Sequence, residues 1–222
     1  MEYKSVIFDF NGTLLFDSDF HHQAWKQLVK ERLQLELTEN EMNNFIHGLP
    51  NVEAIEKLAP NKYTLSEKEQ LSKYKEELYR NIVTNTPNIK LVDGAEKLFN
   101  ILNSKNIPFT IASASIIENI EFFYTTFNLN NWLKLEDIIY DNGKYINKVD
   151  MFNDALAILN SEKESCLIFE DSLSGVTSAI EAGFKNIILL HQREYRDEFK
   201  SIPQIIYHSN NFRDILTFLL ND

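Results

Sequence analysis

The stretch Ser5-Val6-Ile7-Phe8-Asp9-Phe10-Asn11-Gly12-Thr13-Leu14 decides how the rest of this chain is read. Its first four residues are too few for a helix and favour a strand, so we predict a buried β-strand over 5–8. Gly12 breaks the run soon afterwards. The predicted strand therefore delivers a carboxylate, Asp9, directly to a turn.

The second half of the chain alternates strand and helix patterns. After Pro87, strands are predicted at 108–112, 137–140, 166–169, 186–190 and 204–207, with helical patterns between most of them. This alternation predicts an α/β fold, a Rossmann-like parallel sheet with helices on both faces. Asn142-Gly143, flanked by Tyr140 and Tyr145, predicts a tight hairpin turn.

The segment between the first strand and Pro87 has only helical periodicity. Trp25, Leu28 and Val29 share one helix face, and Leu71, Tyr74, Leu78 and Ile82 share another. We estimate four helices here. The predicted organisation is an α/β core domain of residues 1–16 and 88–222, into which a helical domain of residues 17–87 is inserted.

Composition narrows the class of protein and its partners. Of the 222 residues, 44% are hydrophobic and 25% charged, and the formal net charge is -11. An acidic surface repels nucleic acid and anionic membranes, so we expect neither as a partner. Cys166, the one cysteine, lies in an apolar run and is expected to be a buried thiol. A cytoplasmic protein, monomeric or weakly dimeric, is expected.

Polar residues follow the predicted strands at the edge where open parallel sheets bind ligands. They are Asp9-Phe10-Asn11-Gly12-Thr13 after the first strand, Ser113-Ala114-Ser115 after the second and Glu170-Asp171-Ser172 after the fourth. Lys148 is placed in the loop before a helix that starts near Asp150. Each residue alone fits an ordinary turn, cap or surface charge, and only the joint arrangement indicates a site.

The chemistry of this set is that of phosphoryl transfer. Carboxylates and carbonyl oxygens suit Mg²⁺, which shares its ligands with phosphate. A carboxylate such as Asp9 can attack phosphorus, while Lys148 supplies positive charge and Ser113 with loop N–H groups holds the oxygens. Gly12 lets the backbone approach the phosphate closely.

With these residues the chain resembles the haloacid dehalogenase superfamily of phosphatases and phosphomutases over nearly its whole length. The family's Asp-x-Asp-Gly-Thr motif is matched by Asp9-Phe10-Asn11-Gly12-Thr13, its Ser/Thr by Ser113, its Lys by Lys148 and its acidic motif by Glu170-Asp171. The segment 17–26, Asp-Ser-Asp-Phe-His-His-Gln-Ala-Trp-Lys, together with Gly48, is similar to the helical cap of the β-phosphoglucomutase-like branch.

The resemblance implies a role for each matching residue. Asp9 would be the nucleophile and a Mg²⁺ ligand, as would the backbone carbonyl of Asn11 and the carboxylate of Asp171, with Glu170 assisting. The phosphoryl group would be held by Gly12, Thr13, Ser113, Ala114 and Lys148. The inserted helices would form a cap that closes over a small phosphorylated metabolite, with His21 and Gly48 as candidate substrate-binding residues.

Three departures from the family pattern affect the predicted activity. Asn11 replaces the aspartate that serves as general acid/base, and an amide does not titrate. Losing such a group costs on the order of 10²–10⁴ in rate. No Pro follows Lys148, and Leu49-Pro50-Asn51-Val52 after Gly48 contains no Arg to clamp a second phosphate.

Three functions are consistent with this sequence. The first is a Mg²⁺-dependent phosphatase slowed by Asn11, in which His21 or Glu170 could replace the missing base. The second is a sugar-phosphate mutase, which would need a group for two phosphates. The third is a protein that binds phosphate and has lost catalysis.

Overall fold

The computed structural model describes residues 3–46, 48–192 and 197–221. Within them a six-stranded sheet has the order β3-β2-β1-β4-β5-β6, and all neighbouring strands are parallel. The strands are β1 (Ser5–Phe8), β2 (Phe109–Ile116), β3 (Ile139–Asp141), β4 (Cys166–Glu170), β5 (Asn186–Leu190) and β6 (Ile205–Ser209). The predicted α/β fold class is thereby confirmed.

The α-helices of the described residues fall into two groups along the chain. The first four are α1 (Ser18–Leu28), α2 (Glu39–Glu41), α3 (Asn51–Leu58) and α4 (Leu65–Thr84). The remaining five are α5 (Ala95–Ser104), α6 (Ile117–Thr126), α7 (Lys148–Ile158), α8 (Leu173–Glu181) and α9 (Phe212–Asn221). The estimate of four helices before Pro87 therefore matches the α-helices found there, to which short π-helical turns at 29–33 and 42–46 are added.

Successive residues of β1 point to opposite faces of the sheet and reach different helices. Ile7 belongs to a buried cluster with Phe152 of α7 and Val176 of α8. Phe8 packs on the other face, with its ring 5.2 Å from that of Phe99 in α5 and 6.1 Å from that of Phe212 in α9. β1 is therefore covered on both sides, which explains why its last three residues are all apolar.

The chain divides into two compact units. One comprises residues 1–16 and 90–222 and contains the sheet, and the other comprises the helical residues 17–89. In the helical unit α1 packs along α4, whose N-terminus is closed by a reciprocal capping box between Thr64 and Glu67. The boundary predicted after residue 87 lies two residues before the division at 89/90.

Two local predictions were wrong. Tyr145 is not in a strand, because β3 pairs in parallel with β2 and the chain passes from Gly143 to α7 without a further strand. The Asn-Gly pair makes a loop in which Gly143 N–H donates to Asp141 Oδ1 at 2.9 Å. Lys148 is not in a loop but is the first residue of α7, because Asn147 caps the helix at that point.

Cys166 is fully buried at the start of β4, as its apolar neighbours predicted. Burial raises the pKa of its thiol to about 12, so the thiol stays protonated. None of the helices in the described ranges combines the length and the apolar character needed to cross a membrane.

Candidate active site

Asp9 lies at the end of β1, in the middle of the sheet. Its backbone N–H continues the ladder by donating to the carbonyl of Phe169 at 2.9 Å. The side chain is 4% exposed, and Thr13 Oγ1 donates to its Oδ2 at 3.3 Å. The sheet order reverses between β1 and β4, so Asp9 stands at the position where open α/β sheets bind ligands.

Lys148 brings a cation to this carboxylate from α7. Asn147 Oδ1 accepts the Val149 N–H at 2.9 Å, and this cap fixes the first turn of the helix. The Lys148 ammonium lies 2.5 Å from Asp9 Oδ1 and 2.5 Å from Glu170 Oε1. One buried cation is thus shared between two carboxylates that come from different strands.

Glu170 is completely buried at the end of β4 and accepts hydrogen bonds with both oxygens. Its Oε1 accepts from Lys148, while Oε2 accepts from Asp171 N–H at 2.9 Å, Ser172 N–H at 3.1 Å and Ser172 Oγ at 3.1 Å. Gly175 in α8 leaves the room that this carboxylate occupies, because a Cβ there would lie 1.9 Å from Glu170 Oε1.

Opposing electrostatic effects act on the carboxyl group of Asp9. Burial raises the pKa of Asp9 to about 7; Lys148 lowers it in part and the nearby Glu170 raises it. Burial works against the charge of Lys148, but the two carboxylates outweigh it and hold the Lys148 pKa above its ordinary value. Lys148 is therefore a fixed positive charge next to Asp9.

The donor set of the cluster fits a hard divalent cation. Asp9, Glu170 and Asp171 each offer a carboxylate oxygen, and these oxygens lie within 4.8 Å of one another. Gly12 makes room for Asp171, since a Cβ at Gly12 would lie 2.0 Å from Asp171 Oδ2. Gly12 also has a φ of +77°, which other residues adopt only with strain. Oxygen-only donors of this kind suit Mg²⁺.

Asn11 contacts the end of the neighbouring strand. Ser115 Oγ donates to Asn11 Oδ1 at 2.7 Å, and Ser113 Oγ donates to the same oxygen at 3.4 Å. Ser113 is buried, whereas Ala114 between the two serines is exposed. Since residues i and i+2 of a strand share a face, Ser113 and Ser115 both turn toward the end of β1.

The structure brings most of the predicted residues together in two groups of contacts. One links Asp9, Gly12, Thr13, Lys148, Glu170 and Asp171, and the other links Asn11 to Ser113 and Ser115; together these residues form the strand-end cluster. Sequence reasoning had placed Ser115 after the second strand without a role, and it missed Asn147 and Gly175. The Asn before Lys148 was an available signal for a helix cap, whereas nothing local marked Gly175.

His21 and Gly48 belong to the helical unit. The His21 ring stacks on Tyr79 with centroids 4.0 Å apart, and its Nδ1 lies 2.7 Å from Lys75 Nζ. Gly48 is exposed in the turn before α3 and has a φ of +74°. Their predicted contact with a substrate stays a prediction.

Comparison with known proteins identifies relatives of this chain. The family model of haloacid dehalogenase-like hydrolases matches residues 3–183. The chain is 26% identical over 194 residues to the β-phosphoglucomutase of Bacillus subtilis, covering 81% of this chain and 80% of that one. It is 25% identical over 133 residues, 57% of each protein, to a Drosophila melanogaster protein named "Probable pseudouridine-5'-phosphatase".

A solved structure resembles the chain over its full length. It is a hydrolase of the same superfamily, family IA variant 3, from Entamoeba histolytica, with 31% identity and a TM-score of 0.89. The alignment covers 99% of this chain and all of that one. The overall fold of the chain is therefore shared with a solved structure.

Proposed function

Because the chain belongs to the haloacid dehalogenase-like hydrolases, we propose that it is a Mg²⁺-dependent phosphatase of a small phosphorylated metabolite, with Asp9 as nucleophile. The observation that carries the proposal is the buried Asp9 carboxylate, which Lys148 contacts at 2.5 Å. A carboxylate in this setting can attack phosphorus and form a covalent intermediate.

Each residue of the cluster has a defined part in the proposed reaction. One Asp9 oxygen forms a bond to phosphorus while the bond from phosphorus to the leaving oxygen breaks. Lys148 balances the charge of the transferred group, and Ser113 Oγ holds one of its oxygens. Water then attacks the phosphorus of the aspartyl-phosphate, which releases phosphate and regenerates Asp9.

Asp9, Asp171 and the backbone carbonyl of Asn11 are the proposed Mg²⁺ ligands. Glu170 assists by fixing the loop that carries Asp171, through the hydrogen bond that its Oε2 accepts from Asp171 N–H. When bound, the ion neutralises the phosphate oxygens and the developing charge. The helical unit, residues 17–89, is the proposed cap, which selects the substrate and excludes water when closed.

Hydrolysis agrees better with these residues than mutase activity does. Part of the helical unit, 49–52, contains no cation that could bind a second phosphate. The B. subtilis relative is named a phosphoglucomutase and the D. melanogaster relative a phosphatase, so relatives of both kinds occur at similar identity. The absence of a cation from that segment favours the phosphatase.

The test is Mg²⁺-dependent release of phosphate from an aryl phosphate by wild type and Asp9→Ala. We expect turnover in wild type and none in the variant, with both proteins folded. Asp197→Ala is the matched control, because it removes a carboxylate whose side chain is 92% exposed. Equal rates for wild type and Asp9→Ala would end the proposal.

Two further results would point to the alternatives. Conversion of a hexose 1-phosphate without net release of phosphate would indicate a mutase. Binding of Mg²⁺ and inorganic phosphate with no turnover over a broad substrate panel would indicate a binding protein.

A further inference from the structure

We infer that this site acts on phosphates whose leaving group departs as a stable anion, namely acyl phosphates, phosphoanhydrides and aryl phosphates. The inference rests on the proposed function and concerns the substrate class of the same site. It follows from the proton donors that the cluster offers to a leaving oxygen. An alkoxide is a poor leaving group and needs a proton, whereas a carboxylate, phosphate or phenolate leaves without one.

Asn11 is the polar side chain nearest in sequence after the nucleophile, and it has no proton to give. Its Oδ1 accepts from Ser115 at 2.7 Å and from Ser113 at 3.4 Å, which holds the amide between the ends of β1 and β2. An amide nitrogen donates hydrogen bonds but keeps its protons. Asn11 therefore stabilises charge on a neighbouring oxygen without protonating it.

Glu170 is committed to accepting hydrogen bonds. Its two oxygens accept four of them, one from Lys148, one from Asp171 N–H and two from Ser172. Both oxygens are thus engaged with donors of the protein itself. Glu170 is consequently held as an acceptor and does not act as the acid.

The other groups of the cluster are occupied as well. Lys148 forms ion pairs with both Asp9 and Glu170, so giving up its proton would leave two carboxylates without their counter-charge. Asp9 must be ionised to attack, and Asp171 is assigned to the metal. The hydroxyls of Ser113 and Ser115 are too weakly acidic to give a proton to a leaving oxygen. No side chain of this strand-end cluster is thus suited to protonate a leaving group.

The consequence is a steep dependence of rate on the leaving group. A general acid is worth on the order of 10²–10⁴ in rate, and that factor is lost only for substrates that need it. The transfer of the phosphoryl group from aryl and acyl phosphates to Asp9 should be close in rate to that of an enzyme that has the acid, whereas the later attack of water on the aspartyl-phosphate is common to all substrates. The same transfer from alkyl phosphates should be slower by the whole factor.

The experiment measures kcat/KM for a series of aryl phosphates of falling leaving-group acidity, for acetyl phosphate and for an alkyl phosphate. Wild type is compared with Asn11→Asp, which has the same shape and adds a carboxyl group. We expect the alkyl-to-aryl rate ratio to rise by on the order of 10²–10⁴ in the variant. Comparing ratios removes effects of substrate shape, which both proteins share.

Asn142→Asp is the matched control. Asn142 also precedes a glycine, and it lies in an exposed loop where its Oδ1 accepts from Lys144 N–H at 3.1 Å. The substitution makes the same chemical and charge change in an Asn-Gly pair outside the cluster. It should leave every rate unchanged.

The two Asn-Gly pairs also require a chemical control. Asn-Gly sequences deamidate spontaneously through a succinimide to a mixture of isoaspartate and aspartate, and the aspartate product at position 11 would add the very group whose absence is tested. Peptide mass spectrometry of the fragment that contains Asn11 shows whether the amide is intact. The exposed Asn142 fragment, read in the same run, reports how much deamidation the sample has undergone.

Each possible outcome supports or overturns either the inference or the proposed function. The inference is supported if kcat/KM of wild type falls steeply as the leaving group becomes less acidic and if this dependence is shallower in Asn11→Asp. The same alkyl-to-aryl ratio in both proteins, with intact Asn11, overturns it, since another group would then supply the proton. Absence of any Asp9-dependent turnover, even with the best leaving groups, overturns the proposed function itself.

Discussion

Lys148 Nζ lies 2.5 Å from Asp9 Oδ1, so the candidate nucleophile and a buried cation are in direct contact. The Asp9 side chain is 5% exposed and that of Lys148 14%, and Glu170 on the other side of the cation is fully buried. Removing the cation would leave two buried carboxylates facing each other. The first prediction follows from this contact.

Replacing Lys148 with Met should destabilise the metal-free protein by about 3–5 kcal/mol, because an uncompensated buried charge remains. Added Mg²⁺ should recover more stability in the variant than in wild type, since the ion replaces part of the missing charge. Urea denaturation with and without Mg²⁺ measures both effects. Lys134→Met is the control: its ion pair with Glu136 is about three-quarters exposed and should contribute about 0–1 kcal/mol. Equal losses in the two variants would contradict the prediction.

The raised pKa of Asp9, about 7 in the metal-free protein, predicts that Mg²⁺ binding depends on pH. Below that value Asp9 carries a proton that the ion must displace, so affinity should fall by up to about tenfold per pH unit and level off above it. Calorimetric titration over this range measures the affinity. Asp9→Asn has no proton to lose at this position and should bind weakly without that dependence. A flat wild-type profile would argue against the shift.

The same raised pKa fixes the sign of a stability effect. Unfolded Asp9 releases its proton near its ordinary pKa of 3.8, whereas the folded carboxyl keeps its proton up to about pH 7. The folded state binds more protons between these values, so the contribution of Asp9 to stability is full below about pH 4 and is lost as pH rises through 7. Relative to that of Asp9→Asn, the denaturation midpoint of metal-free wild type should be highest below about pH 4 and should fall as the pH rises through 7.

Gly175→Ala should displace Glu170 and lower the stability of the core unit. The new Cβ would lie 1.9 Å from Glu170 Oε1, and overpacking of this kind costs about 1–3 kcal/mol. Mg²⁺ affinity should weaken as well, because Glu170 fixes the loop that carries Asp171. Ser174→Ala changes the exposed neighbour in the same helix and should alter stability by less than about 0.5 kcal/mol. Thermal unfolding of the two variants separates the effects, and a tolerated Gly175→Ala would show that Glu170 can move freely.

In the helical unit, Tyr79→Phe should lower the free energy of unfolding more than Tyr74→Phe. Tyr79 OH donates to Asp17 Oδ2 at 2.5 Å, and both side chains are buried. Tyr74 OH donates to Glu31 Oε2 at 2.6 Å, and this bond is exposed to solvent. Losing a buried hydrogen bond to a charged group costs about 1.5–3 kcal/mol, whereas the exposed bond is screened by solvent and should contribute much less. Denaturant unfolding of both variants tests this, and a smaller loss for Tyr79→Phe would contradict it.

Much of the fold could be predicted because strand and helix signals are local. The runs at 5–8 and 186–190 appear as strands with those bounds, and the run at 166–169 is extended by one residue. The failure at Asn142-Gly143 has a specific reason. An Asn-Gly pair favours a tight turn, but a hairpin also needs a partner strand, and β3 takes β2 as its partner instead.

The candidate site was predicted as a set of residue types and not as a network of contacts. Strand-end positions identified Asp9, Ser113 and Glu170 because parallel strands end at one edge of the sheet. The bond from Ser115 to Asn11 joins residues 104 positions apart, and no local pattern marks it. The space that Gly175 leaves for Glu170 is equally invisible in the sequence.

By itself, then, the sequence determined the order of the elements, the apolar strands, the helical insertion and the amide at position 11, since each depends on residue type and short-range periodicity. Only the tertiary structure decided that Lys148 starts a helix and is shared between Asp9 and Glu170, and that two serine hydroxyls hold Asn11. The reason is physical. A strand or helix is favoured by its own residues, whereas the distance between two charges on different elements is set by the packing of the entire core between them.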